Sequence, residues 1–204
     1  MNRPTVQLSV YSDMLKGPAT HLVAGSGQIV HIWGASGAGK STLLSRIWGS
    51  RSRGGGQLRV EIDGTTLDLA GMPAARLAFV RPRLMTYVEQ RPTVLPRIRM
   101  RDWLCACSAR QLQAGLEQLD LASGLLQRCS SDLSGGELQR FALLRAFCSP
   151  TPILLLDEPC TGLDRERYER VVELLKQARG SQRLVIYTSH APSCWADQKI
   201  GLPD

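Results

Sequence analysis

The chain has 204 residues, 43% of them apolar, and its 25 Lys and Arg outnumber 18 Asp and Glu for a formal net charge of +7. Such a length holds one domain, or one with a modest lobe, around a sizeable core, and the positive balance suits an acidic partner, nucleic acid or anionic lipid, or a plain solvated excess. Its longest apolar run, Ile153-Leu154-Leu155-Leu156, is far too short to cross a bilayer, and Met1-Asn2-Arg3-Pro4-Thr5 lacks the apolar core of a signal peptide, so a cytosolic chain that does not itself enter a membrane is expected.

Val6-Gln7-Leu8-Ser9-Val10-Tyr11 alternates apolar and polar residues, as a half-buried strand does. Tyr11 stands where a ring could stack on a nucleotide base; an ordinary strand tyrosine is the alternative. His21 and His31 read as a turn-proximal and a strand residue, with no cluster of partners in sequence. Gln28 to Trp33 reads as a short buried strand, and Lys40 to Trp48 as a helix with Leu43, Leu44 and Ile47 on one face. Between them, Gly34-Ala35-Ser36-Gly37-Ala38-Gly39-Lys40-Ser41-Thr42 fits the pattern G-x-x-x-x-G-K-[ST]. Its glycines let the backbone curl so that N–H groups point at one anion, and the helix that follows aims its N-terminus there too. Lys40 then supplies a full charge at the β- and γ-phosphates, and Ser41 a hydroxyl for Mg²⁺.

Arg51 to Gly56 reads as a flexible turn, Gln57 to Ile62 as an alternating strand, and Asp63-Gly64 as a tight turn, a small antiparallel element beside the main sheet. Arg76 to Gln90 is expected to bring another strand, ending Thr86-Tyr87-Val88-Glu89-Gln90, with Arg91-Pro92 opening a loop. Gln90, at a strand end, can reach both a metal-bound water and whatever docks on that loop. Arg81, Arg83, Arg91, Arg97, Arg99 and Arg101 crowd this stretch, as a partner-facing surface or a solvated basic face. From Arg101 to Arg128, Leu112, Leu116 and Leu119 repeat at helical spacing and Leu125 and Leu126 add a patch, so one or two short helices form a lobe.

Leu133-Ser134-Gly135-Gly136-Glu137 opens a further helix, because Ser134 followed three places on by Glu137 is a capping box. Two glycines there let another backbone approach. This is a second anion-binding helix start, and one nucleotide needs one, so it is expected to serve phosphates held by a second copy. The buried run Ile153–Leu156 delivers Asp157 and Glu158 to the ligand-binding edge of a parallel sheet. Leu184 to Ser189 is another core strand, ending at His190.

Taken together, these motifs resemble the ATP-binding cassette ATPases. Leu133-Ser134-Gly135-Gly136-Glu137 is similar to their signature motif, and Ile153 to Pro159 to their Walker B strand with its catalytic glutamate. Thr161-Gly162-Leu163-Asp164 resembles the D-loop, Thr188-Ser189-His190 the switch histidine, Gln90 the Q-loop glutamine and Tyr11 an A-loop aromatic. The resemblance implies an α/β fold: a P-loop NTPase core with a mostly parallel sheet, a small antiparallel β element and a helical lobe at about 95–147, within one cassette domain covering 1–204. It implies ATP and Mg²⁺ as cofactors, with Gly34 to Thr42, Tyr11 and a second copy's Ser134, Gly135 and Gly136 on the nucleotide. Ser41, Asp157 and Gln90 would face the metal, while Glu158, His190 and Gln90 would serve hydrolysis.

With neither a span nor an appended domain, the resemblance points to the energising subunit of a transporter. The expected partners are a membrane permease and a second cassette, as homodimer or heterodimer, with no nucleic acid. The place would be cytoplasmic, peripheral on the inner membrane through the permease, whose cytoplasmic helices meet the loop after Gln90 and the helical lobe. A soluble machine on DNA or ribosomes and a P-loop kinase are the alternatives; the first usually carries a coiled coil or two cassettes, and the second has no use for the signature. Gln127 to Asp132 lacks the acidic stretch of some exporter relatives, and with 14 residues after His190 a regulatory domain of the sort some sugar importers carry is not expected.

The six cysteines show no C-x-x-C pair and no zinc spacing, so reduced, mostly buried thiols are expected. Cys160 stands where a hydroxyl or small residue is usual, and its modification is expected to block the site.

Overall fold

Apolar strands buried on both faces require a sheet covered on both sides, and that requirement organises this fold. The structure, a computed structural model, describes residues 4–11, 21–49 and 57–202. In chain order the strands are β1 (Val6–Tyr11), β2 (His21–Gly25), β3 (Ile29–Trp33), β4 (Gln57–Ile62), β5 (Thr65–Asp68), β6 (Met85–Val88), β7 (Ile153–Leu156), β8 (Leu184–Ser189) and β9 (Gln198–Gly201). The helices are α1 (Lys40–Trp48), α2 (Ala74–Leu84), α3 (Met100–Trp103), α4 (Ala109–Gln118), α5 (Gly135–Cys148) and α6 (Arg165–Gly180).

A sheet of order β6-β7-β8-β3-β9 has every pairing parallel. A separate antiparallel sheet has the order β2-β1-β4-β5. Along β7, Ile153 and Leu155 join one apolar cluster while Leu154 and Leu156 join another, the two-residue period of a strand. The first cluster takes in Leu43, Leu44 and Ile47 of α1 and Val6, Leu8 and Val60 of the antiparallel sheet. The second takes in Leu116 of α4, Phe141, Leu143 and Leu144 of α5, and Leu174 and Leu175 of α6. Cutting Leu155, which is wholly buried, back to alanine would cost roughly 2–5 kcal/mol, so the strand that presents Asp157 and Glu158 is held rigidly.

The strand expected over Arg76 to Gln90 is corrected: 74–84 is the helix α2, and the strand is Met85–Val88 alone. Leu77, Val80 and Leu84 recur at helical spacing and pack on the first cluster. Pro82 argues against a helix in sequence, yet it falls in the last turn, with Arg83 and Leu84 after it. The helices expected between Arg101 and Arg128 form as α3 and α4, followed by 3₁₀ turns at Ser123–Gln127 and Ser130–Asp132. Arg167 of α6 holds Asp120 at 2.7 Å and Arg170 donates to the Glu117 carbonyl at 3.0 Å, tying α4 to α6. The expected turn at 51–56 lies outside the described residues. Among the described residues, no helix is long and apolar enough to cross a membrane.

Candidate active site

Four adjacent parallel strands end at one edge, and each end carries chemistry. β3 runs into Gly34–Gly39, β6 into Gln90, β7 into Asp157 and Glu158, and β8 into His190. Ligands of open α/β sheets bind at this carboxyl edge.

The loop after β3 turns through the left-handed region at Gly37 (φ 88°) and Gly39 (φ 96°), where a side chain would be strained. Gly39 caps α1 without a side-chain acceptor, so the first N–H groups of that helix are left for another partner. Gly34 is needed for a different reason: a Cβ there would lie 3.0 Å from the Leu202 carbonyl. Lys40 is buried and donates to the Gly34 and Ala35 carbonyls at 2.8 and 2.9 Å. Ala35, Ser36, Gly37 and Ser41 are exposed, and Ala38, Gly39 and Thr42 are half-buried.

Glu158 is the hub. Its Oε2 accepts from Gln90 Nε2 at 2.8 Å and from Thr161 Oγ1 at 3.0 Å, with His190 Nε2 at 3.0 Å, and its Oε1 lies 3.6 Å from Lys40 Nζ. The carboxylate is 5% exposed, which it tolerates because its charge is met by these donors. Its backbone is left-handed at φ 49°, a conformation costing a non-glycine residue about 1–2 kcal/mol. Thr188 supports the pair: its hydroxyl donates to Asp157 Oδ1 at 2.7 Å and accepts from the Glu158 N–H at 2.9 Å. Gln90, Lys40, Glu158 and His190 are thus brought together as expected, while Thr161 and Thr188, named in sequence only as members of the D-loop and switch motifs, join them.

The remaining expected residues stand apart. Tyr11, 49% exposed, lies in the antiparallel sheet and stacks on His21, with centroids 4.1 Å apart and planes at 22°. That ring pair was not legible in sequence, because it depends on the register that sets Tyr11 opposite His21. Ser134 accepts from Glu137 N at 3.2 Å and donates its own N–H to Glu137 at 2.8 Å, completing the expected capping box. The Ser134 N–H and, at 2.9 Å, the Ser134 hydroxyl both donate to the Glu137 carboxylate and hold it below the usual carboxylate range. A Cβ built on Gly135 would meet nothing within 4 Å, and one on Gly136 would meet only Arg140 Nη1, at 3.6 Å.

For Mg²⁺, the chain offers the exposed hydroxyl of Ser41 and the buried carboxylate of Asp157. Among the described residues, no three His, Cys, Asp or Glu cluster to hold a metal by themselves. A cation held by one carboxylate, one hydroxyl and substrate phosphates needs no such cage, so the donor set fits. The six arginines divide: Arg81 lies 4.6 Å over the Trp48 ring and Arg83 3.7 Å over Phe79, while Arg91, Arg97, Arg99 and Arg101 are exposed. Burial pushes the Cys160 thiol up to about 12, a setting that opposes the reactivity expected of it.

A glycine loop with a buried lysine, facing an acidic pair at the edge of a parallel sheet, defines a P-loop nucleoside triphosphatase. The description "ABC transporter" is that of the family model matching residues 20–161, and the chain belongs to this family as one of its ATP-hydrolysing proteins. It is 37% identical over 168 residues to the thiamine import ATP-binding protein ThiQ of Vibrio cholerae serotype O1, covering 80% of this chain and 69% of that one. Phosphonates import ATP-binding protein PhnC of Stutzerimonas stutzeri is 33% identical over 186 residues, covering 80% and 66%. A dimeric ATP-binding cassette in a post-hydrolysis state bound to ADP and Pi shares the fold, with TM-score 0.70 and 24% identity over 91% of this chain and 88% of that one.

Proposed function

We propose that this chain is a single cassette, spanning 1–204, that closes head to tail on a second cassette around MgATP and so drives a separate membrane-spanning permease. The observation that carries the reading is the convergence of Lys40, Gln90 and His190 on one buried carboxylate, Glu158. Lysine, amide and imidazole donors aimed at one anionic group form a set able to receive a phosphoryl oxygen.

In this reading Lys40 exchanges its carbonyl partners for β- and γ-phosphate oxygens, and the N–H groups of Gly34 to Thr42 cradle the same phosphates. Mg²⁺, when bound, offsets the negative charge that builds on the phosphates. Ser41 and Asp157 would hold it, with Gln90 facing the same place. Glu158, oriented by Thr161 and by its own strained backbone, accepts a hydrogen bond from the attacking water and polarises it. His190 contacts the γ-phosphate, and Tyr11 stacks on the base.

The second half of the site comes from the other cassette, a second copy or a related chain. Ser134, Gly135 and Gly136 are exposed, and the open space at Gly135 leaves room for another molecule's phosphates. The permease would dock in the cleft of about 430 Å³ lined by Trp48, Tyr87, Pro92, Trp103 and Arg145, beside the exposed Leu95. That contact would hold the chain at the cytoplasmic face of the inner membrane, and the permease would select the cargo. The test is sedimentation of Glu158→Gln with MgATP: a stable dimer is expected, and a chain that binds ATP yet stays monomeric would remove the shared site.

A further inference from the structure

His31 is wholly buried in the strand that runs into the phosphate loop, and the chemistry above does not use it. Its Nδ1 accepts from the Ser193 N–H at 3.2 Å, with Ser193 Oγ at 3.1 Å. Its Nε2 lies 2.7 Å from Ser189 Oγ. A backbone N–H can act only as a donor, so Nδ1 carries no proton. The single hydrogen of the Ser189 hydroxyl goes to the Ala191 carbonyl at 2.6 Å, so Ser189 must accept from Nε2–H. Each hydrogen then has one place, and the ring is the neutral Nε2–H tautomer. Burial, aided by Lys199, pushes its pKa down to about 4, in keeping with that state.

The ring also stacks on Tyr187, with centroids 4.4 Å apart and planes at 8°, and Tyr187 stacks in turn on Trp195 at 5.0 Å and 3°. The Tyr187 hydroxyl donates to Ser193 Oγ at 2.6 Å. Above this buried stack the turn itself is open: His190, Ala191 and Pro192 are exposed. A turn with so little apolar contact relies on its hydrogen bonds for its place. Those bonds lead to His31 from Ser189 on one side of His190 and from Ser193 on the other.

We propose that His31 is a positioning residue for ATP hydrolysis: by anchoring Ser189 and Ser193 to the phosphate-loop strand, it fixes the turn that sets His190 3.0 Å from the Glu158 carboxylate. This rests on the reading that His190 and Glu158 act at phosphoryl transfer. The strand that feeds the phosphate loop and the turn that carries the histidine then move as one body.

His31→Phe keeps a ring for the stack and removes the bonds at both ring nitrogens, whereas His31→Gln offers an amide N–H near the place of Nε2. For His31→Phe, kcat for ATP is expected to fall about tenfold with KM within about twofold, and His31→Gln to recover part of the loss. A merely structural histidine would lower the melting temperature and leave kcat alone, and that result overturns the proposal, as does equal loss in both variants. Should the variants fold poorly, ¹⁵N NMR of the unmutated chain decides: the Nε2–H tautomer at neutral pH is expected, and an Nδ1–H or doubly protonated ring overturns it. Glu158→Gln and His190→Ala are assayed beside these. Wild-type turnover in both would sink the underlying reading, while their loss with His31→Phe unaffected would sink the inference alone.

Discussion

At the carboxyl edge of the parallel sheet, Lys40, Gln90, Thr161 and His190 all meet Glu158, whereas at the start of α5 Ser134 engages Glu137 of its own helix and the glycines beside it meet open space. Both regions start a helix with a glycine-containing segment suited to anions, yet the first keeps its charged side chains buried against one another while the second lies exposed. The difference follows from burial. Charges at 4% and 5% exposure must find partners at home, while an exposed helix start needs from its own chain only the capping box that Ser134 and Glu137 supply. In the proposed reading the first region holds and cleaves the nucleotide, and the second is presented to another cassette.

The largest effect expected from breaking the first region comes at Glu158. Glu158→Gln keeps the bonding geometry and removes the charge, so turnover should fall about 10²–10⁴-fold with ATP affinity retained. Single-turnover hydrolysis beside equilibrium ATP binding checks this. Lys40→Ala should act on the other quantity, weakening ATP binding about 10- to 100-fold through loss of a charged hydrogen-bond donor. Retained affinity in that variant would mean that the lysine serves the fold through its bonds to the Gly34 and Ala35 carbonyls.

The first region was the more legible of the two, because its logic is local. A glycine spacing, a lysine and an acidic pair after an apolar run each declare themselves within a few residues, and parallel strands then bring them to one edge. Thr188 and Thr161 were harder to foresee, since their roles are hydrogen bonds to Asp157 and Glu158 that only the packed strands create. His31 gave no sign at all: its partners Ser189 and Ser193 lie far along the chain and meet it through the pairing of β3 with β8. At 74–84 the helical spacing of Leu77, Val80 and Leu84 prevails over the expected strand, and Pro82 falls in the last turn, where a helix can absorb it. In the second region, the capping box at Ser134 and Glu137 was plain in sequence, but the open space around Gly135 needed coordinates.

That open space gives a sharper test of the second region. In Gly135→Leu no atom of the chain stands in the way of the new Cβ, and glycine is a poor helix residue, so stability should hold or rise by about 0.5–1 kcal/mol. ATP binding by the monomer should be unchanged. Turnover should nonetheless fall about tenfold or more if, as proposed, that room receives another cassette's phosphates. Thermal unfolding and turnover measured on one preparation separate these outcomes, and full turnover would show that the space is not an interface.

The smallest effect is expected at Cys160, two residues past Glu158 in the first region. It lines a cavity of about 210 Å³ together with Glu158, Thr161, Tyr168, Tyr187 and Ser193. Thiolate, the reactive form, becomes the major species only above the thiol's pKa, and burial has raised that to about 12. Against an ordinary thiol near 8.5, the thiolate fraction at neutral pH is lower by about three orders of magnitude. The sign of the pH dependence follows: labelling should be slow at neutral pH and speed up about tenfold per unit, with no plateau short of about 12. Site-resolved mass spectrometry after maleimide treatment at neutral pH should find Cys160 largely unmodified and ATP turnover within about twofold of the untreated chain. Fast labelling with loss of turnover, prevented by MgATP, would mean that the wall opens to solvent on the timescale of the reaction. The cleavage region would then share the exposure of the presenting one, and the contrast between them would rest on Lys40 and Glu158 alone.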